Sequence, residues 1–144
     1  MHYMVSYLWR WLMNKKLVEV VAAVIENENN EILCALRSPI MTLPNMWEFP
    51  GGKVEEGESL YTAIEREIKE ELKCSVKAIE IIGENRHEYE KIIVNLTAIK
   101  CNLVEGEPVA DEHSKLIYLK KENLESLVWA PADIPLVKKV INTK

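Results

Sequence analysis

Apolar residues along this chain follow two rhythms. Over residues 59–72, Leu60, Ala63, Ile64, Ile68 and Leu72 recur at three- and four-residue intervals, which makes one buried stripe on a helix. Elsewhere the apolar residues are bunched and often β-branched. Residues 18–25 and 32–36 flank the turn-forming Glu26-Asn27-Glu28-Asn29-Asn30 and predict a β-hairpin. Residues 76–82, 91–103 and 116–119 predict further strands. Residues 38–50 contain Pro39, Pro44 and Pro50 and predict a loop with at most short extended pieces. A short helix is expected over 121–127, and Pro135 suits the first turn of a last helix through Ile141. Strands, one central helix, more strands and a closing helix give an α/β (α+β) fold, a mixed sandwich rather than a regular βαβ series.

Length adds one domain: 144 residues with no repeat, low-complexity tract or composition break. Residues 13–144 are read as that domain. Residues 1–12, with Tyr3, Tyr7, Trp9 and Trp11 interrupted by Arg10, are read as a poorly ordered extension. No stretch reaches the roughly 18 apolar residues that span a bilayer, so no membrane partner is expected. Three cysteines, Cys34, Cys74 and Cys101, lie far apart among apolar residues, which suits buried thiols in a reduced cytoplasm. Eighteen basic against twenty-three acidic residues leave a formal charge of -5, which argues against nucleic acid as a partner. A phosphate-bearing substrate would need a cation brought in with it. Monomer and homodimer both stay open.

The chemistry concentrates in Gly51-Gly52-Lys53-Val54-Glu55-Glu56-Gly57-Glu58 and the helix after it. Glu67, Glu70 and Glu71 stand three and four residues apart, so at least two carboxylates share a face. Like charges so placed destabilise a helix unless something compensates them, and a hard cation such as Mg²⁺ prefers such oxygen ligands. Arg66 sits where it can pair with Glu58. The array Gly52, Glu58, Arg66, Glu67, Ile68, Glu70, Glu71 resembles the Nudix box. Trp47-Glu48-Phe49-Pro50-Gly51-Gly52-Lys53 and Trp129-Ala130-Pro131-Ala132-Asp133-Ile134-Pro135 look like its MutT-type branch. Lys73 departs from the pattern, standing where the family has the Gly that ends the helix.

The resemblance implies an α/β/α sandwich around a mixed sheet and a Mg²⁺-dependent nucleoside triphosphate diphosphatase, with Mn²⁺ as a substitute. Such an enzyme would convert (d)NTPs, oxidised or non-canonical ones such as 8-oxo-dGTP, to the monophosphate plus pyrophosphate. The alternatives are a CTP/dCTP pyrophosphohydrolase, or a relative acting on ADP-ribose or dinucleoside polyphosphates. A non-catalytic nucleotide-binding module is disfavoured, because every box carboxylate is kept. By the same resemblance, Gly51 (through its carbonyl), Glu67, Glu70, Glu71 and Glu112 are candidate metal ligands, with Asp111 as fallback for Glu112. Glu67, Glu70 and Arg66 form the candidate catalytic set, and His113 is read as a bystander. Arg37 and Lys53 are placed to meet phosphates. Asp133 is placed to read the base in a pocket framed by Phe49 and Trp129, with Glu48 as a second acceptor. The competing reading makes Asp133 the cap of the helix that follows.

Overall fold

A computed structural model describes residues 15–143. The extension proposed for residues 1–12 lies outside them. Among the described residues, seven strands form two sheets: β1 (Lys16–Ile25), β2 (Glu31–Leu36), β3 (Trp47–Glu48), β4 (Gly51–Lys53), β5 (Ser75–Glu88), β6 (Ile92–Glu105) and β7 (Lys115–Lys120). Helix α1 spans Leu60–Leu72 and α2 spans Ile134–Asn142, with short 3₁₀ turns at Lys121–Ser126 and Pro131–Asp133. The larger sheet has the order β4-β1-β6-β5 and is mixed, with β1 and β6 parallel; the smaller is β3-β2-β7.

The expected hairpin between residues 18–25 and 32–36 does not form. The chain does turn there: Asn27 Oδ1 accepts from the Asn29 and Glu31 amides, and Asn30 takes a left-handed φ of 60°. Beyond the single bridge Glu26–Ile32, however, β2 leaves for the second sheet. The reason is burial on two faces. Val21, Ala23 and Ile25 pack toward Ile64, Ile68 and Leu72 of α1, whereas Ala22 and Val24 pack toward Leu136, Val137 and Val140 of α2. A strand covered on both sides belongs in the middle of a sheet, and β1 sits there between β4 and β6. The three cysteines are buried free thiols, and burial pushes Cys34 and Cys101 up to about 12.

The stripe predicted for α1 is the one buried: Ala63, Ile64, Ile68 and Leu72. Ser59 caps it by accepting from the Thr62 amide. At its other end Lys73 does adopt the left-handed conformation, with φ 58° and ψ 28°. Its ammonium folds back onto the Glu70 carbonyl at 2.8 Å and faces Asp111 at 3.6 Å. Relieving the β-carbon strain outweighs those exposed contacts. Lys73→Gly is therefore expected to raise stability by about 1 kcal/mol, seen as a melting temperature a few degrees higher.

Candidate active site

The site is assembled where β4, α1 and the loop before β7 meet. Gly51 lies so close to β1 that a β-carbon there would fall 1.9 Å from the Val21 carbonyl oxygen, so only glycine lets β4 pair. A β-carbon on Gly52 would fall 2.3 Å from Glu67 Oε2, so the bare backbone makes room for that carboxylate. The loop before β7 is tied at both ends, Val109 N–H to the Leu72 carbonyl and Ser114 N–H to the Leu36 carbonyl. These ties bring His113 across from α1.

Arg66 is the hub of the outer part. Its Nε and Nη2 hold both oxygens of Glu58 at 2.6 and 2.8 Å. Its Nη1 meets Glu67 Oε1 at 2.9 Å and Glu70 Oε2 at 3.2 Å, and Nη2 also donates to the Lys53 carbonyl. The fork holds Glu58 down at about 2, chiefly through its hydrogen bonds. Every guanidinium nitrogen is taken, so Arg66 positions the β4–α1 junction and Glu67. It is not a free acid or base. Glu70 is 62% exposed and turned toward Arg66.

Glu71 is different in kind. Its side chain is only 12% exposed, and Oε2 is buried with no hydrogen-bond partner among the described residues. Burial, more than anything else, lifts its pKa to about 7. The charges of Glu48, Glu67 and Glu112 add to the lift, and His113 opposes it. Glu112 is exposed and makes no ion pair among the described residues, yet it lies near enough to count among those charges. Asp111 instead faces Lys73, at the helix end.

His113, read from sequence as a bystander, is a structural link. Its side chain is 1% exposed; Nε2 lies 2.8 Å from Glu48 Oε2, and Nδ1 lies 3.8 Å from Glu71 Oε1 with no hydrogen-bond partner among the described residues. Burial alone would push its pKa down, but the hydrogen bond to Glu48 and the charges of Glu48 and Glu71 raise it instead. Glu48 continues the chain: its Oε1 takes Arg37 Nη1 at 2.9 Å. Arg37 is also fixed by the Thr42 carbonyl and hydroxyl. Each oxygen of Glu48 thus holds one partner, so Glu48 links His113 to Arg37 while still lining the cleft. Nothing local in the sequence marks His113, which is buried while its neighbours Asp111, Glu112 and Ser114 are exposed.

Above this network lies a cleft in two adjoining parts that share Val20, Arg37, Glu48, Leu96 and Asp133. The acidic part, about 220 Å³, reaches Gly51, Gly52 and Glu71. The larger part, about 540 Å³, is walled mainly by apolar side chains, among them Leu43, Ile92 and Val94, together with Tyr89. Asp133 closes the boundary between them. Its carboxyl is buried, accepts from the Phe49 amide at 3.0 Å and makes no capping bond to α2, so the capping alternative does not hold. Burial, then the charge of Glu48, raises its pKa well above the ordinary value; the Phe49 amide and Arg37 pull the other way.

Two predicted residues fall elsewhere. Trp129 lies under Phe49, ring centroids 4.9 Å apart, and donates its indole N–H to the Leu124 carbonyl. It is core beneath the cleft, not a wall of it. Lys53 has an exposed side chain on the edge strand β4 and does not line the cleft.

An orphaned buried carboxylate oxygen on Glu71, a second carboxylate seated on bare glycine backbone and a surrounding excess of negative charge all fit a hard, oxygen-liganded ion. Among the described residues, no three Asp, Glu, His or Cys side chains already enclose one point.

Fold and site thus suit a hydrolase whose carboxylates could take up a divalent cation. The chain belongs to the Nudix family, whose domain model matches residues 16–140. It is 37% identical over 123 residues to a CTP pyrophosphohydrolase of Escherichia coli, covering 85% of this chain and 90% of that one. It is 29% identical to an 8-oxo-dGTP diphosphatase of Haemophilus influenzae, covering 90% and 96%. A solved structure named DNA mismatch repair protein MutT, from methicillin-resistant Staphylococcus aureus, superposes with a TM-score of 0.73 at 47% identity, covering 88% of this chain and 97% of that one. Among the described residues, no helix is long and apolar enough to cross a membrane.

Proposed function

We propose that this enzyme hydrolyses a nucleoside triphosphate at an inner phosphorus, releasing the monophosphate and pyrophosphate. The observation that carries the reading is the two-part cleft. Its acidic part ends on the unpaired oxygen of Glu71, and its apolar part ends on the buried carboxyl of Asp133. A triphosphate suits the first once a cation neutralises it, and a base suits the second. Glu71, Glu67 and the Gly51 carbonyl would hold Mg²⁺, for which Mn²⁺ can substitute, with Glu112 close by. The ion supplies charge neutralisation on the phosphates and a more acidic water. Glu67, fixed by Arg66, is placed to orient that water or take its proton. Arg37, fixed by Glu48 and Thr42, presents positive charge at the junction of the two parts.

The preferred base is one that offers a donor to Asp133, such as 8-oxoguanine through its N–H groups or cytosine through its exocyclic amine. The greater likeness to a CTP pyrophosphohydrolase supports cytosine as the second reading. A panel of 8-oxo-dGTP, dGTP, CTP and dCTP with Mg²⁺, scored for pyrophosphate against phosphate, tests both. Pyrophosphate with 8-oxo-dGTP or a cytidine nucleotide preferred is expected; phosphate as the only product would refute the reaction assigned. Asp133→Ala is expected to raise KM for the preferred nucleotide roughly tenfold and to narrow preference across the panel, since it leaves a buried donor edge unpaired.

A further inference from the structure

The three residues Pro131–Asp133 form one 3₁₀ turn, and a turn so short has little internal means of holding its place. It closes on two backbone bonds, Asp133 N–H to the Ala130 carbonyl at 2.9 Å and Ile134 N–H to the Pro131 carbonyl. The middle residue, Ala132, directs both of its backbone groups out of the turn, and both are taken by side chains from the β5–β6 hairpin. Its N–H donates to the Tyr89 hydroxyl oxygen at 3.1 Å, and its carbonyl accepts from Asn85 Nδ2 at 3.0 Å.

Tyr89 is itself held firmly. Its amide donates to the Ile92 carbonyl at 2.8 Å, closing the hairpin turn, and its ring stands edge-on to His87 with centroids 4.5 Å apart. Tyr89 also forms part of the cleft wall. The arrangement frees Asp133 from the usual work of its position. An Asp before a helix ordinarily turns its carboxyl onto the helix amides. Here α2 begins with Ile134-Pro135, Asp133 makes no such bond, and two side chains from another element fix the turn instead.

We propose that Asn85 and Tyr89 are positioning residues that clamp Ala132 from both sides, so that the Asp133 carboxyl faces the cleft and discriminates between bases. The proposal rests on the reading of Asp133 as the base-contacting group. Neither residue needs to touch the phosphates or the cation.

The test uses the full chain with Mg²⁺ and compares Tyr89→Phe, which keeps the ring, and Asn85→Asp, which keeps the shape, with Asp133→Ala. Each clamp variant is expected to narrow the kcat/KM ratio between the best and worst nucleotides of the panel by roughly five- to tenfold. The change should fall on KM, with kcat within about twofold. Inhibition by inorganic tripolyphosphate, which has no base, should stay within about twofold in every variant. Added to Asp133→Ala, either clamp change should move the ratio by less than about twofold, because its effect passes through Asp133. If Asp133→Ala narrows preference while neither clamp variant does, the clamp is wrong and the base reading stands. Effects that add to Asp133→Ala, or a tripolyphosphate constant that rises along with KM, would overturn it too. If Asp133→Ala leaves preference untouched, the base reading fails and the clamp proposal falls with it.

Discussion

Glu71→Gln is expected to cut turnover at least about a hundredfold while making the cation-free protein more stable above pH 7. Both effects come from one oxygen. Glu71 Oε2 is buried without a donor, and its neighbours Glu48, Glu67 and Glu112 are of like charge. Its pKa, about 7 when folded, lies above the ordinary 4.5. The folded protein therefore binds more protons than the unfolded chain between those values, and stability falls as pH rises through that window. Below about pH 4.5 the carboxyl is neutral in both states and nothing is lost. Above about pH 7 the full cost, about 3 kcal/mol, is present in the absence of a cation. Glutamine keeps the shape, removes the charge and so removes the cost. Melting curves in chelator should show Glu71→Gln above wild type at pH 8 and level with it at pH 4.5. Activity at wild-type speed, or a variant less stable at pH 8, would contradict the role given to this side chain.

Gly51→Ala is expected to be the most damaging small substitution in the fold. Its β-carbon would lie 1.9 Å from the Val21 carbonyl oxygen and 2.8 Å from the Ala22 α-carbon, both backbone atoms of the central strand. Neither can move without pulling β1 from β6, so the pairing of Ala22 with Gly51 must open instead. A loss of about 3 kcal/mol or more follows, a fall in melting temperature on the order of 10 °C. Gly57→Ala is the matched control: its β-carbon would meet nothing within 4 Å, and only the positive φ of 78° is strained. That costs about 1 kcal/mol. Equal losses at the two positions would show that β4 is not held against β1 in this way.

The parts of the molecule legible in the sequence were those with one-sided burial or a fixed spacing. Helix α1 was legible because its stripe of Ala63, Ile64, Ile68 and Leu72 faces a single core. The Glu58–Arg66 pair followed from spacing around that helix, and the structure joins the two through both oxygens of Glu58. The partners of β1 were not legible. A strand buried on both faces has no alternation to show which neighbour it takes, and the Asn-rich turn after Ile25 imitates a hairpin. Long-range hydrogen-bond partners were hidden as well, even for Asp133, which the resemblance had placed at the base. His113 reaches Glu48 across 65 residues, Asp133 reaches Phe49 across 84, and Tyr89 reaches Ala132 across 43. Trp129 misled because a large aromatic beside a motif suits a pocket wall as well as the core beneath it.

A divalent cation is expected to enter at the buried Oε2 of Glu71, which has no hydrogen-bond partner among the described residues, and the acidic part of the cleft is expected to accept phosphates only then. Metal ligands must shed their protons, so the claim can be read in protons released. The measurement is calorimetric titration of Mg²⁺ into the full chain at pH 6.5, in two buffers of different ionisation enthalpy, for wild type and Glu71→Gln. With Glu71 at about 7, roughly three quarters of a proton should leave wild type for each ion bound. The variant should bind more weakly and release that much less. Equal affinity and equal proton release in the two proteins would place the cation elsewhere and contradict the account.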